Sequence, residues 1–183
     1  MLIEIRTLNE LNAEAINRLT GSFVCHDTYR VTHHDSSECA GFELELVALA
    51  EPFVHRYDHL DEEYIHTYLA RANLCIGAFN DELLVGILIA EKREWNNSLW
   101  VMEFHVAAEW RRKGVGRLLM DRAAVQAKDA GLRVIVCETQ NQNSNAIKAY
   151  RSLGFCLEGI DISYYTNDDY PDRGIAVFMK RRL

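Results

Sequence analysis

A short run of cations and glycines, residues 106–117, has the composition of an anion-binding segment. An apolar stretch ends at Val106, a turn with three cations follows, and a helix is predicted to begin at Gly114. Unpaired amides and the helix dipole favour a negative group at a helix start, and glycine lets it approach the backbone. The run matches neither a P-loop nor a G-x-G-x-x-G motif. It predicts a pyrophosphate site, the alternative being a basic helix start exposed to solvent.

A second segment, residues 143–155, lies one predicted strand further along the chain. Together the two segments resemble the GNAT superfamily of acetyl-CoA-dependent N-acetyltransferases. The resemblance covers about residues 74–183 and rests on the motifs Arg111-x-x-Gly114-x-Gly116 and Asn143-x-x-Ala146-x-x-x-Tyr150-x-x-x-Gly154-Phe155. Within the superfamily the chain is most similar to streptothricin acetyltransferases, on the stretches Trp95-Asn96, Glu138-Thr139-Gln140-Asn141 and Gly159-Ile160-Asp161 with Tyr165.

The resemblance implies an α/β GNAT fold, with a mixed, mostly antiparallel central sheet of about six or seven strands flanked by about four helices. The sheet would be splayed in the middle, and acetyl-CoA would be the co-substrate. Its pantetheine arm would lie beside the backbone of Phe104, His105 and Val106, whose amides would also hold the thioester carbonyl. Asn143 would bind the coenzyme or cap its own helix. The diphosphate would bind Arg111, Arg112, Lys113, Gly114, Val115, Gly116 and Arg117, unless Arg111 serves instead as a structural ion-pair partner.

Acetyl transfer to an amine requires two proton transfers. An alkylammonium group must lose a proton before its nitrogen can attack, and the departing thiolate leaves more easily if it gains one. By its motif position Tyr150 is the candidate general acid, the alternative being a core tyrosine. Glu103 is the candidate base, or a carboxylate that only attracts the cation. His105 is a weaker candidate base, or a structural histidine.

Three hypotheses describe the acceptor. The leading one is a primary amine of a small cationic molecule, with streptothricin as the specific candidate. The second is a protein N-terminus or lysine, as in the acetyltransferases of ribosomal proteins, and the third is a non-catalytic acetyl-CoA sensor. Residues 1–103 hold 18 acids and 7 Lys/Arg, whereas residues 104–183 hold 9 and 13. This asymmetry suits a cationic acceptor and an anionic coenzyme, or it is an uneven solvated surface.

Hydrophobic periodicity predicts the elements that position these residues. Helical spacing predicts a helix capped by Asn9 and ended by Gly21, and helices over 59–73, 114–130 and 143–153. Strands are predicted at 2–6, 42–46, 74–79, 83–90, 99–106, 134–137, 155–165 and 175–180. Residues 22–40 lack periodicity and are predicted to form a loop. Turns are predicted at Asn80-Asp81 and over 168–172.

Composition restricts the class of protein. The 183 residues are 49% hydrophobic with two prolines, which predicts one N-acetyltransferase domain over 1–183. The apolar runs are too short for a membrane span, and a net charge of −7 argues against nucleic-acid binding. Five scattered cysteines, without a signal-peptide pattern, predict mostly buried, reduced thiols in a cytoplasmic protein. The protein is expected to be a monomer or a homodimer. No metal is expected, since His55, His59 and His66 lack the partners of a zinc site.

Overall fold

The computed structural model describes residues 2–183, which form four α-helices and nine strands. The helices are α1 (Ala13–Thr20), α2 (Glu62–Arg71), α3 (Val115–Asp129) and α4 (Ser144–Ser152). The strands are β1 (Glu4–Thr7), β2 (Ser22–Asp35), β3 (Ala40–Arg56), β4 (Leu74–Asn80), β5 (Leu83–Arg93), β6 (Ser98–Val106), β7 (Val134–Gln140), β8 (Cys156–Asp161) and β9 (Ala176–Arg182). Seven strands form one mostly antiparallel sheet and β2 pairs with β3, which confirms the predicted fold class.

The described chain divides into two compact units. The first contains the residues up to Ser22, residues 56–136 and the C-terminal Arg182–Leu183, and the second contains residues 23–55 and 137–181. Strand β7 crosses this division, so its first three residues belong to the first unit and its last four to the second.

In the first unit the strand order is β1-β4-β5-β6-β7, and the first three of these pairs are antiparallel. One sheet face packs on α1 and α2, because Ile87 and Ile89 of β5 share a buried cluster with Ile16 and Ile65. The other face packs on α3, where a Cβ at Gly86 would lie 3.1 Å from Leu119. The residues before β6 and β7 lie side by side, since the Arg133 amide donates to the Asn97 carbonyl at 2.9 Å. These two strands therefore start together, with α3 as the crossover.

The side chains that begin α1 and α2 are caps of the expected chemistry. Asn12 accepts a hydrogen bond from the Ala15 amide at 2.8 Å, and Asp61 accepts one from the Tyr64 amide at 2.7 Å. The prediction that Asn9 caps α1 was wrong by one turn, because the Leu8 amide still donates to the Cys75 carbonyl of β4 and holds the chain extended.

In the second unit the order is β7-β9-β8, with β8 and β9 antiparallel. The prediction of a loop over 22–40 was wrong, because most of this segment is strand β2. Its contacts are long-range: the Lys148 ammonium of α4 lies 2.5 Å from Asp27, and Asn145 donates to the Val24 carbonyl at 2.8 Å. Partners 121 residues away leave no periodic signal in the local sequence.

Three smaller expectations also need correction. The strand predicted to Tyr165 ends at Asp161, and the following residues turn around Asp169, which accepts from the Thr166 and Tyr165 amides. Cys156 is exposed, as is Cys39. The hairpin turn after β4 falls on Asp81-Glu82, one residue later than predicted. Across the described chain, no helix is long and apolar enough to cross a membrane.

Candidate active site

The N-terminus of α3 differs from the other helix starts in the described chain. Asn12, Asp61 and Asn143 cap α1, α2 and α4 with their side chains, whereas Gly114 precedes α3 with φ +88°. The first turn of α3 carries no acidic residue, and it follows the cations Arg111, Arg112 and Lys113. Its first-turn amides have no capping side chain, so an anion can satisfy them.

The residues of this loop have distinct structural roles. Arg111 donates from Nε to the Val106 carbonyl at 3.0 Å, which ties the loop to the end of β6. Arg112 adopts a left-handed conformation with φ +58°, which is unusual away from glycine and typical of ligand-binding loops. A Cβ at Gly116 would lie 3.2 Å from the Phe104 ring, so this glycine lets α3 approach β6. A Cβ at Gly114 would meet nothing within 4 Å.

Along the predicted pantetheine segment of β6, successive residues direct their main-chain N–H and C=O groups to alternate sides of the strand. Ala107 donates to the Val85 carbonyl at 3.0 Å, and the register pairs Val106 with Gly86 and His105 with Ile87. In an antiparallel pair, hydrogen-bonded and non-hydrogen-bonded residues alternate. The main-chain groups of His105 are therefore directed toward β5, and those of Phe104 and Val106 away from it. The predicted contact of the coenzyme with this backbone is best matched by Phe104 and Val106.

Two candidate proton acceptors of β6 contact each other. His105 Nε2 lies 2.6 Å from Glu103 Oε2, and their side chains are only 11% and 13% exposed. Tyr64 of α2 hydrogen-bonds to Glu103 and to Tyr68, and burial followed by these contacts raises the pKa of the Tyr64 hydroxyl, which stays protonated. The ring of Tyr57 meets the imidazole edge-on at 5.5 Å between centroids. Tyr57 and Tyr64 had not been predicted as site residues, since no local motif contains them.

In the second unit, Tyr150 is buried on α4. Its ring lies 5.6 Å from that of Phe155, and its hydroxyl hydrogen-bonds to the thiol of Cys137 on β7. Complete burial raises the pKa of Cys137, so the thiol stays protonated and is no nucleophile. The aromatic ring of Phe155 and the thiol of Cys137 thus hold the Tyr150 side chain in place.

Asparagines follow β7 and have mainly structural partners. Asn143 accepts from the Ala146 amide at 3.1 Å and so caps α4, one of its two predicted roles. The buried Asn141 donates to the Tyr29 carbonyl at 2.8 Å and accepts from the Ile175 amide at 2.8 Å. It therefore holds β2 and the start of β9 to the end of β7.

Glu138 on β7 is a second carboxyl whose pKa its surroundings shift, and the sequence predicted no role for it. Burial raises its pKa, while a hydrogen bond from the Tyr165 hydroxyl opposes that shift. A carboxyl with a raised pKa is suited to exchange protons near neutral pH. The available signal was its place at the end of a buried strand, where its neighbours Val136 and Cys137 are apolar.

A helix start suited to a diphosphate and a buried carboxyl–imidazole pair on β6, the strand that precedes it, fit the chemistry of an acyl-coenzyme A transferase. Comparison with known proteins agrees. The model of the acetyltransferase (GNAT) family matches residues 42–155. Streptothricin acetyltransferase of Streptomyces lavendulae is 32% identical over 168 residues, which cover 88% of this chain and 86% of that protein. N-alpha-acetyltransferase 30 of Xenopus laevis is 26% identical and covers 77% of this chain and 51% of its own length.

Two solved structures share the fold over nearly the whole chain. The crystal structure of nourseothricin acetyltransferase has a TM-score of 0.81 and 31% identity, and covers 98% of both chains. A Bacillus anthracis protein assigned as a streptothricin acetyltransferase, crystallised with acetyl coenzyme A, has a TM-score of 0.74 and 22% identity over 100% of this chain and 99% of its own. The chain therefore belongs to the GNAT acetyltransferase family. It is an enzyme of the acetyl-CoA-dependent N-acetyltransferase type, as the resemblance implied, and acetyl-CoA is its co-substrate.

Proposed function

We propose that the protein transfers the acetyl group of acetyl-CoA to a primary amine of a small cationic acceptor, with streptothricin as the specific substrate. The observation that carries this proposal is the 32% identity to streptothricin acetyltransferase of Streptomyces lavendulae over 88% of this chain. The 31% identity to nourseothricin acetyltransferase over 98% of both chains supports a small-molecule acceptor. At 98% coverage that match takes in nearly all of the segment before the coenzyme motifs, residues 1–73, so it extends beyond the part of the chain that any acetyl-CoA enzyme would need.

The coenzyme is proposed to bind through the loop and first turn of α3. The amides of residues 112–117 and the cations around them would hold the diphosphate, and Asn143 would contribute from α4 beyond its capping role. The backbone of β6 would hold the thioester carbonyl and stabilise the oxyanion that forms during attack.

Two groups are proposed to move the protons. Glu103, together with the imidazole it binds, is the site that takes the proton from the ammonium group. Tyr150 donates its hydroxyl proton to the departing thiolate, because a protonated thiol is the better leaving group. Glu138 is the alternative proton acceptor, supported by its raised pKa.

A second acceptor class is supported by one observation. The relative from Xenopus laevis is named as an N-alpha-acetyltransferase, which favours a protein N-terminus as acceptor. That relative covers only 51% of its own length in the match, so the resemblance is confined to the shared domain.

The test is the release of free thiol from acetyl-CoA with streptothricin, polyamines and N-terminal peptides as acceptors. We expect release with streptothricin and, more weakly, with polyamines, and a product heavier by one acetyl group. Thiol release with peptides alone would favour the protein N-terminal function. Thermal stabilisation by acetyl-CoA without thiol release from any amine would support a coenzyme sensor and overturn the proposal.

A further inference from the structure

Glu103 and His105 form one hydrogen-bonded pair on a single face of β6. The side chains of residues two apart on a strand point to the same side, and here Nε2 and Oε2 are 2.6 Å apart. The register places Ile89 opposite Glu103 and Ile87 opposite His105. These two isoleucines belong to the buried cluster under α1 and α2, so the pair borders the apolar core.

The pair is held from two further directions. Tyr64 of α2 hydrogen-bonds to Glu103, and Tyr68 stacks on Tyr64 with 4.4 Å between ring centroids. The ring of Tyr57 packs edge-on against the imidazole. Both tyrosines that contact the pair, Tyr57 and Tyr64, carry phenol groups and are partly exposed to solvent.

The hydrogen bond determines which imidazole nitrogen is free to act. An ionised carboxylate only accepts hydrogen bonds, so the shared hydrogen must come from Nε2 of His105. The neutral imidazole then carries its lone pair on Nδ1. A carboxylate that orients an imidazole in this way also stabilises the imidazolium that forms when Nδ1 accepts a proton.

We propose that His105 is the proton acceptor for the amine substrate and that Glu103 is the residue that positions it. This rests on the proposed N-acetyltransferase function. The ammonium group gives one proton to Nδ1, and the neutral amine attacks the thioester carbonyl. The new C–N bond forms as the C–S bond breaks, and the thiolate gains the hydroxyl proton of Tyr150. The second amine proton passes through solvent to the Tyr150 phenolate and restores its hydroxyl. The imidazolium returns its proton to solvent after product release, so one acetylation releases one proton overall.

Carboxylate geometry favours the imidazole over Glu103 as the acceptor. Glu103 already accepts from His105 and Tyr64, whereas Nδ1 keeps an unshared lone pair in the tautomer that the pair selects. An imidazole is also a stronger proton acceptor than a carboxylate and is better matched to an ammonium donor near neutral pH.

The kinetic test compares His105→Gln, Glu103→Gln and the double variant, with His66→Gln on the exposed face of α2 as the control. We expect kcat of His105→Gln to fall about 100-fold at pH 7. This loss of kcat becomes smaller as the pH rises, because the substrate ammonium group then loses its proton to solvent without a protein base. The KM for acetyl-CoA and the melting temperature change little. Because the pair acts as one unit, the double variant is no slower than His105→Gln.

Chemical rescue distinguishes a proton acceptor from a structural histidine. Added imidazole is expected to raise the turnover rate of His105→Ala at least tenfold and to leave the rate of His66→Ala unchanged. Wild-type kcat in His105→Gln, or no rescue in a folded His105→Ala, would overturn the proposal, as would a deficit that is constant with pH.

The pairing has a readout that needs no acceptor. Nitrogen-15 NMR of labelled histidine is expected to show His105 with its proton on Nε2 in the wild type, and a mixture of tautomers in Glu103→Gln. A tautomer mixture in the wild type overturns the pairing. If no amine is acetylated while the Nε2 tautomer is seen, the proposed function fails and the pairing stands.

Discussion

At the scale of single residues, the hydroxyl of Tyr150 can be removed with little other change to the structure. It is buried, its ring packs on Phe155, and its hydroxyl meets the thiol of Cys137. Phenylalanine keeps the ring and its packing and removes only the oxygen. A catalytic hydroxyl and a purely structural one therefore have different expected consequences.

We predict that Tyr150→Phe lowers kcat about 100-fold and leaves the dissociation constant for acetyl-CoA within a factor of about two. Steady-state thiol release and isothermal calorimetry measure the two quantities. Tyr170→Phe is the matched control, because its hydroxyl accepts from the His33 amide at 3.3 Å and has no predicted catalytic role. Unchanged turnover in Tyr150→Phe would remove the hydroxyl from the mechanism.

The buried carboxyl of Glu138 is expected to make the stability of the folded protein depend on pH. Burial raises its pKa, so the folded state disfavours the ionised form. The unfolded chain ionises this group near its ordinary value of 4.5, and stability is lost as pH rises through the interval between that value and the folded pKa. We predict that Glu138→Gln has a higher melting temperature than the wild type at pH 7 and that the gain disappears at and below about pH 4.

Asp27 supplies a control of opposite sign. The hydrogen bond from Lys148 lowers its pKa, so its contribution to stability is present at neutral pH and is lost as pH falls through the lowered pKa. Asp27→Asn is expected to lower the melting temperature at pH 7 and to approach the wild type in acid. The same sign for both variants in calorimetric scans would contradict the assignment for Glu138.

At the scale of elements, the start of α3 combines backbone strain with a binding role. Gly114 has φ +88° and Gly131, at the other end of the helix, has φ +72°, and neither would place a Cβ within 4 Å of another atom. Alanine at either position therefore adds only left-handed strain, about 1 kcal/mol.

We predict that Gly114→Ala and Gly131→Ala lower the melting temperature by similar amounts, and that only Gly114→Ala weakens acetyl-CoA binding, by severalfold. The reason is that a side chain at Gly114 stands where the diphosphate would meet the helix amides. Thermal unfolding and calorimetric titration with acetyl-CoA check both parts. Equal affinities in the two variants would place the diphosphate away from this helix.

The strands β2 and β3 show how an element can escape local prediction. β2 contains His26, Asp27, Thr28 and two further histidines, a polar composition that is typical of loops. It is a strand because it pairs with β3 and because α4 and Asn141 bind its backbone and side chains. Strand propensity depends on such neighbours more than on the residues themselves.

At the scale of the whole molecule, charge is distributed differently in the fold and along the sequence. The N-terminal 103 residues hold most of the acids, but the folded units do not follow that division. The first unit carries 15 acids and 14 Lys/Arg, and the second carries 12 and 6. The net charge of −7 thus comes mainly from the second unit, and the acidic N-terminal half does not form one acidic body.

A negative molecule should attract a polycationic acceptor through long-range electrostatics. We predict that kcat/KM for a polycationic acceptor falls severalfold as salt rises from about 0.01 M to about 1 M, since the screening length falls from about 30 Å to about 3 Å. For an amine with a single charge the fall is much smaller. Thiol-release assays with both acceptors across the salt series measure kcat/KM. The same salt dependence for both acceptors would exclude steering of the acceptor by net charge.

The sequence by itself determined the elements and chemistry that are local. The period of the apolar residues located α3, α4 and β6, and two motifs within 45 residues, 111–155, identified the coenzyme segments and the family. Capping, glycine turns and amphipathic faces depend on residues within a few positions of one another, so a single chain segment contains the information.

Only the tertiary structure decided which distant side chains share an environment. The contacts of Tyr64 with Glu103 and of Tyr165 with Glu138 join residues 39 and 27 positions apart, and β2 is a strand through contacts more than 100 positions away. Such contacts arise from the packing of whole elements around a core. Burial and hydrogen bonding then set the pKa of Glu138, and neither is a property of its local sequence.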